Sequence, residues 1–282
     1  MKELCTRLTV TLLAALITCA ALAKEEPPPV SVKKLPVFKK GQWKGLHAVY
    51  THNYFDATID ALGVLTIKPK DRRGKYVGKP FTCYQLSCYY VPPKSHHKGR
   101  PPVLFYNPGE PRDFTNLRDK KITIKGLLKD DVPFELEYEF KNNQITAAGG
   151  CADPEAIVYP THFRIGCHMR KSHNITPQTE QEDREKLLKG CIVETRERVG
   201  RRKKRFKYPY HDIMKFHGTL EFVEVKGPYG ERVIQMKPRY QEGVLRGYIY
   251  NNFCPWQGFY IYYLTQGKEI DLFHNRTIMI VK

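Results

Sequence analysis

Residues 121–148 read KITIKGLLKDDVPFELEYEFKNNQITAA, and this stretch decides the fold class. It divides into 122–128, a turn at Lys129-Asp130-Asp131, 134–140, a turn at Asn142-Asn143, and 144–148. That is the punctuation of a three-stranded antiparallel meander. In the middle segment Phe134, Leu136, Tyr138 and Phe140 alternate with Glu135, Glu137 and Glu139. Successive side chains of a strand point to opposite faces, so the apolar set is expected to line a core and the carboxylates to face water.

The same pattern continues outward in both directions. Segments 46–51, 57–61, 64–67, 82–91 and 103–106 before the meander are short apolar or β-branched runs with turn residues between them, and so are 161–165, 219–226, 232–237, 245–250, 259–265 and 278–281 after it. Pro92-Pro93 and the polar stretch 94–102 predict a mobile loop, because consecutive prolines cannot take part in a ladder. The fold class expected is mainly β, a large antiparallel β-sandwich. One long peripheral helix is expected over about 177–199, with Thr176 as cap, Pro177 at the first helical position and Glu180, Glu182 and Asp183 in the early turns. Leu187, Leu188, Cys191, Ile192, Thr195 and Val199 recur there at helical spacing, although Gly190 interrupts them. A shorter helical turn is expected over 210–216.

The N-terminus sets the compartment. Lys2 and Arg7 precede an apolar run over 8–22, and Ala21-Leu22-Ala23 supplies a small-x-small cleavage site, so 1–23 reads as a secretory signal peptide. The run falls short of the roughly 20 apolar residues that span a bilayer, and no later stretch reaches that length. The mature chain is therefore expected to have no transmembrane segment and to be secreted or to reside in the periplasm or cell envelope. Lipid anchoring at Cys19 is the lesser alternative, because Thr18 stands where a lipoprotein box usually has a small residue. Residues 24–40, with Pro27, Pro28, Pro29 and several lysines, read as an extended leader, and 41–282 as a single β-rich domain.

Cys83, Cys88, Cys151, Cys167, Cys191 and Cys254 remain after residue 23. Export makes disulfides between them an expectation with buried free thiols as the alternative, and the connectivity stays open. Cys83 and Cys88 stand five residues apart in a strand-like run, roughly 16 Å if fully extended, and are not expected to pair with each other. Asn174-Ile175-Thr176 and Asn275-Arg276-Thr277 are glycosylation sequons whose meaning depends on the host.

Charge and aromatic content narrow the partner. The chain carries a net charge of +18, or +17 once Lys2, Glu3 and Arg7 are removed with the signal peptide. Such a balance draws an exported protein to anionic surfaces, so a polysaccharide or other polyanion at an extracytoplasmic surface is the expected partner, and nucleic acid is not. The densest cluster is Arg201, Arg202, Lys203, Lys204, Arg205 and Lys207, with Phe206, Tyr208 and Tyr210 offering faces for stacking; a solvated basic loop without a specific partner is the competing reading. Among 18 tyrosines, many gather at 248–263, where the loop carrying Tyr250, Asn251, Asn252, Trp256 and Gln257 has the flat rings and amides of a sugar site. The same residues suit a well-packed hairpin.

Catalytic signals are sparse. No phosphate-cradling glycine loop, nucleophile elbow or zinc helix occurs, and the spacing of His162, Cys167, His168 and His173 matches no metal motif, so neither metal nor cofactor is expected. His162 and Arg164 share a strand face and could serve as acid and electrophile, while Glu135 and Glu137 could supply a base or carboxylate pair. Whether the chain is an enzyme stays open at this point. The leading expectation is a carbohydrate-binding module without catalysis, for a possibly anionic polysaccharide; the alternatives are an exported carbohydrate-active enzyme, epimerase-like or lyase-like, and a structural envelope or matrix protein.

Overall fold

The computed structural model describes residues 30–91, 96–152, 161–169, 182–183, 186, 189–209, 219–238, 246–250, 259–267, 269–270 and 276–282. In chain order the first strands are β1 (Ser31–Val32), β2 (Leu46–His52), β3 (Phe55–Asp60), β4 (Leu65–Pro69), β5 (Phe81–Val91), β6 (His96–Arg100), β7 (Pro102–Tyr106) and β8 (Arg112–Asp113). Next come β9 (Lys121–Leu128), β10 (Val132–Lys141), β11 (Gln144–Ala152), β12 (Thr161–Met169), β13 (Ile192–Val199) and β14 (Arg202–Pro209). The last are β15 (Thr219–Gly227), β16 (Gly230–Pro238), β17 (Arg246–Tyr250), β18 (Phe259–Gly267), β19 (Glu269–Ile270) and β20 (Arg276–Val281).

They form two sheets. One runs β1-β7-β9-β10-β11-β20-β16-β15-β13-β14 with β19 added on β11, and the other β17-β18-β12-β5-β4-β3-β2-β8 with β6 added on β5. The ladders are antiparallel, with β2 and β8 a short parallel exception among the described residues. The meander of 121–148 is β9-β10-β11, and a single-turn 3₁₀ segment, Lys129–Asp131, makes its first connection. Phe134, Leu136, Tyr138 and Phe140 are all buried, as the alternation requires. They meet the other sheet directly: the Phe140 and Tyr50 rings stack at 5.1 Å, Tyr138 Oη donates to the carbonyl of Gly63 at 3.3 Å, and Tyr50 Oη donates to that of Asn142 at 3.0 Å.

Four features depart from the sequence reading. The helix expected over 177–199 is not found over its second half, because Ile192–Val199 is strand β13. Val193, Thr195 and Glu197 are buried at period two, and the β-branched side chains of this run favour a pleated surface. Gly190 takes φ +81°, which ends whatever precedes it; Glu182, Asp183 and Lys186 are helical, while Leu187, Leu188 and the turn at 210–216 lie outside the described residues. Second, the basic run 201–207 is not a loop after a helix but mostly strand β14, paired with β13. Third, within the stretch 94–102, expected as a loop, His96–Arg100 forms β6 against β5. Fourth, Glu137 does not face water: it is 6 % exposed and pairs with Lys121 Nζ at 2.6 Å and Arg276 Nη2 at 3.6 Å.

Where the sequence reads as an extended leader, Ser31 and Val32 pair with β7 and Leu35 is buried in the core. From Ser31 to Lys282 the chain is one compact unit. Among the described residues no cysteines stand at disulfide distance, and no helix is long and apolar enough to cross a membrane. The register sets Cys83 opposite Cys167, not toward Cys88, which lies further along the same strand.

One glycine is dictated by close approach. A Cβ on Gly126 would lie 1.9 Å from the carbonyl oxygen of Leu104, where β7 bulges against β9. The obstacle is backbone, which cannot rotate away. Gly126→Ala is expected to cost about 3 kcal/mol or more, measured as a drop in the urea midpoint against wild type.

Candidate polyanion-binding surface at the β13–β14 edge

Strand β14 is last in its sheet order: one side of it pairs with β13, and among the described residues the other has no neighbour. Alternation divides its side chains into two rows. Phe206 and Tyr208 lie on the core side, with their rings stacked at 6.3 Å, and Tyr208 Oη donates to Glu197 at 2.9 Å. Glu197 is fully buried and also accepts from Thr195 Oγ1 at 2.7 Å. Burial first, and the bond to Glu197 second, push the Tyr208 hydroxyl far above the ordinary tyrosine range. Tyr208 is therefore bound into the interior, and the stacking role expected for it is taken by an internal contact; Tyr210 lies outside the described residues.

Lys203, Arg205 and Lys207 form the opposite row, repeating at roughly 6.7 Å along the strand. They face Arg198, Arg196 and Glu194 of β13, in that order. At one end Lys207 Nζ lies 3.5 Å from Glu194, which is 3.1 Å from Lys226, itself 2.7 Å from Glu224. Gln235 donates to the same Glu224 carboxylate. At the other end Glu221 is gripped by Arg198 at 2.8 Å and Lys203 at 3.2 Å.

Between these two compensated groups stands a pair of like charges. Arg196 and Arg205 are direct register partners, and the Arg196 guanidinium lies 5.7 Å from the Phe222 ring centroid. Among the described residues neither has a carboxylate at ion-pair distance, and the same holds for Arg201, Arg202 and Lys204, all exposed. Like charges directly across a ladder destabilise it by about 0.2–1 kcal/mol. A doubly charged or polymeric anion laid over this row removes that repulsion, and a guanidinium fork matches carboxylate and sulfate oxygens in pairs.

The other residues singled out from sequence are spread over the fold. Glu135 and Glu137 belong to β10, where Glu135 meets Lys125 at 3.4 Å and Glu137 is held by its two ion pairs. His162 and Arg164 are in β12 of the other sheet, opposite Cys88 and Leu86 of β5. Tyr250 ends β17, and Asn251, Asn252, Trp256 and Gln257 lie outside the described residues. Sequence reasoning missed Arg196, which it had placed in a helix; only the β13–β14 register reveals it. No model of a known protein family and no curated protein matches the chain.

The Glu224 cluster gives a pH dependence with a definite sign. Burial raises the Glu224 carboxyl, but hydrogen bonds from Lys226 and Gln235 outweigh it and hold the group below its ordinary value. A depressed carboxylate contributes stability that is present above its unfolded pKa of 4.5 and lost as pH falls through the folded value. Glu224→Gln is therefore expected to lower the Tm at pH 7, and the gap from wild type to shrink in melts carried below pH 4.5.

Proposed function

We propose that this is an exported, basic β-sandwich protein that binds an anionic polysaccharide at an extracytoplasmic surface without catalysis, through the β13–β14 edge. The observation that carries this reading is the opposed pair Arg196 and Arg205, without a carboxylate partner among the described residues, on an edge strand whose other row carries exposed Arg202 and Lys204, with exposed Arg201 in the turn before it. The nearby carboxylates Glu194 and Glu221 are already committed to Lys207, Lys226, Arg198 and Lys203. Net attraction for a polyanion is thereby concentrated at this sheet edge, where binding releases the polymer's condensed counterions. The uncharged part of recognition is assigned to Trp256 with Asn251, Asn252, Tyr250 and Gln257, whose residue types suit stacking on a sugar ring and bonding to its hydroxyls.

A structural role in the envelope draws on a specific observation too: lysine and arginine on an edge strand block pairing with a second copy. Catalysis by Glu137 is disfavoured by its two ion pairs, which leave the carboxylate occupied.

The test is binding of the purified protein to neutral and anionic polysaccharides and to DNA at low and high salt. Saturable binding to one anionic glycan is expected, with Arg205→Ala and Arg196→Ala each lowering the slope of log K against log salt by about one charge. Trp256→Ala is expected to remove the salt-resistant part. Equal binding to every polyanion, abolished by salt and indifferent to Trp256→Ala, would move the reading to the structural class; chain cleavage or epimerisation of the bound glycan would move it to the enzymatic one.

A further inference from the structure

Away from the β14 row, an open cleft of about 380 Å³ lies beside the turn joining β2 to β3, and His52, Tyr54, Lys70, Arg72 and Arg232 help to line it. Arg232 is the unusual member. It is 7 % exposed, its guanidinium lies 4.2 Å from the centroid of the Tyr54 ring, and its Nε donates to the carbonyl of Lys70. Among the described residues no carboxylate stands at ion-pair distance from it.

The acids nearby are already engaged. Asp56, itself buried, receives Lys70 Nζ at 2.5 Å and the Tyr76 hydroxyl at 2.5 Å, and the bond to Asp56 is the main reason the Tyr76 hydroxyl is pushed up to about 12. Glu231 meets Arg72 Nε at 2.9 Å, but both partners are exposed, so that pair is weak and readily exchanged. A buried cation without a counter-charge costs several kcal/mol unless something answers it. A carbonyl and a ring face answer only part of that cost, since the terminal guanidinium nitrogens carry four further N–H donors.

His52 adds a neutral donor at the same place. Its Nδ1 accepts the backbone N–H of Tyr54 at 3.3 Å, which assigns the proton of the neutral ring to Nε2. Burial, then the charges of Lys70, Arg232 and Lys120, push the imidazole down from its ordinary value, so it is uncharged at neutral pH.

We propose that this cleft is a binding site for a compact oxyanion, a sulfate, phosphate or carboxylate group, with Arg232 as its principal partner and Arg72 and His52 Nε2–H as rim donors. It is a pocket for one group and not a surface for a polymer, so it stands whether or not the β14 reading does. The oxyanion is either a free ion or a substituent on a sugar chain, and the two sources present the same atoms to Arg232.

The test follows the His52 imidazole by NMR while the purified protein is titrated with sodium sulfate, against sodium chloride at matched ionic strength. Wild type is expected to show a saturable shift with sulfate that chloride does not reproduce. Arg232→Gln should weaken sulfate binding about tenfold or more, as loss of a charged hydrogen bond implies. Arg72→Ala should weaken it by roughly twofold, as for a surface charge, and the exposed-cation control Lys129→Ala should leave it unchanged. Because Arg72 is exposed, Arg72→Ala decides the matter if Arg232→Gln does not fold. A sulfated polysaccharide that produces the same His52 shift identifies a chain-borne group, and a shift confined to inorganic sulfate identifies a free ion. Absence of a saturable shift, a shift that chloride reproduces, or wild-type affinity in Arg72→Ala and in any folded Arg232→Gln would overturn the proposal.

Discussion

The architecture depends on one strand keeping its register. β10 presents Phe134, Leu136, Tyr138 and Phe140 on its core face and Glu135, Glu137 and Glu139 on the opposite one, where Glu137 is buried in its ion pairs, so a slip by one residue would drive three carboxylates into the core. Each buried aromatic ring contributes about 1.5–3 kcal/mol by leaving water, and the Phe140–Tyr50 stack ties that gain to the opposite sheet. Two tyrosines would lose part of this if their hydroxyls were unmatched. Their bonds to the carbonyls of Gly63 and Asn142 meet that need only when the sheets are correctly aligned, so apolar burial and polar satisfaction select the same arrangement.

From β10 the sheet extends through β11, β20, β16, β15 and β13 to β14, and the charge problem grows along it. Every strand there has an outer row that must remain polar, in a chain with 47 basic and 29 acidic residues. Glu194 and Glu221 each serve two cations, and Glu224 serves Lys226 together with the Gln235 amide. The acids run out at the edge, where Arg196 faces Arg205. Placing the uncompensated charge on the last two strands keeps the repulsion at the sheet edge, and the cations of β14 also discourage a second copy from adding a strand.

The parts of the fold legible in the sequence were those governed by local periodicity. The β9-β10-β11 meander has one apolar set, one charged set and turn residues between them, and it forms as its pattern reads. Residues 192–199 satisfy two periods at once: Ile192, Thr195 and Val199 fit a helix, and Val193, Thr195 and Glu197 fit a strand. Pairing with β15 and β14 on either side settles that competition, and pairing is not a local property. Burial of Glu137 was equally hidden, since one of its partners is Arg276, far along the chain. For the candidate surface, the density of cations was visible in 201–207, but which of them lack acids follows only from the register with β13. The cleft gave no signal, because Arg232 and Tyr54 are neighbours in space alone.

Arginines elsewhere in the same protein show what Arg232 lacks. Arg276, with 19 % of its side chain exposed, is matched to Glu137, and Arg198, with 33 % exposed, is matched to Glu221. Both are better hydrated than Arg232 at 7 % residue exposure, yet both have a carboxylate and Arg232 has none at ion-pair distance among the described residues. Desolvation runs the other way: the least hydrated guanidinium has the greatest need of a counter-charge. An overall shortage of acids does not explain this, because Glu231, the preceding residue in the chain, is spent on an exposed partner. Arg196 and Arg205 at the edge can be screened by solvent ions, whereas the donors of Arg232 left over by the Lys70 carbonyl and the Tyr54 ring open onto the cleft, and this difference in hydration is what distinguishes the proposed attraction for a polymer from the proposed site for a single group.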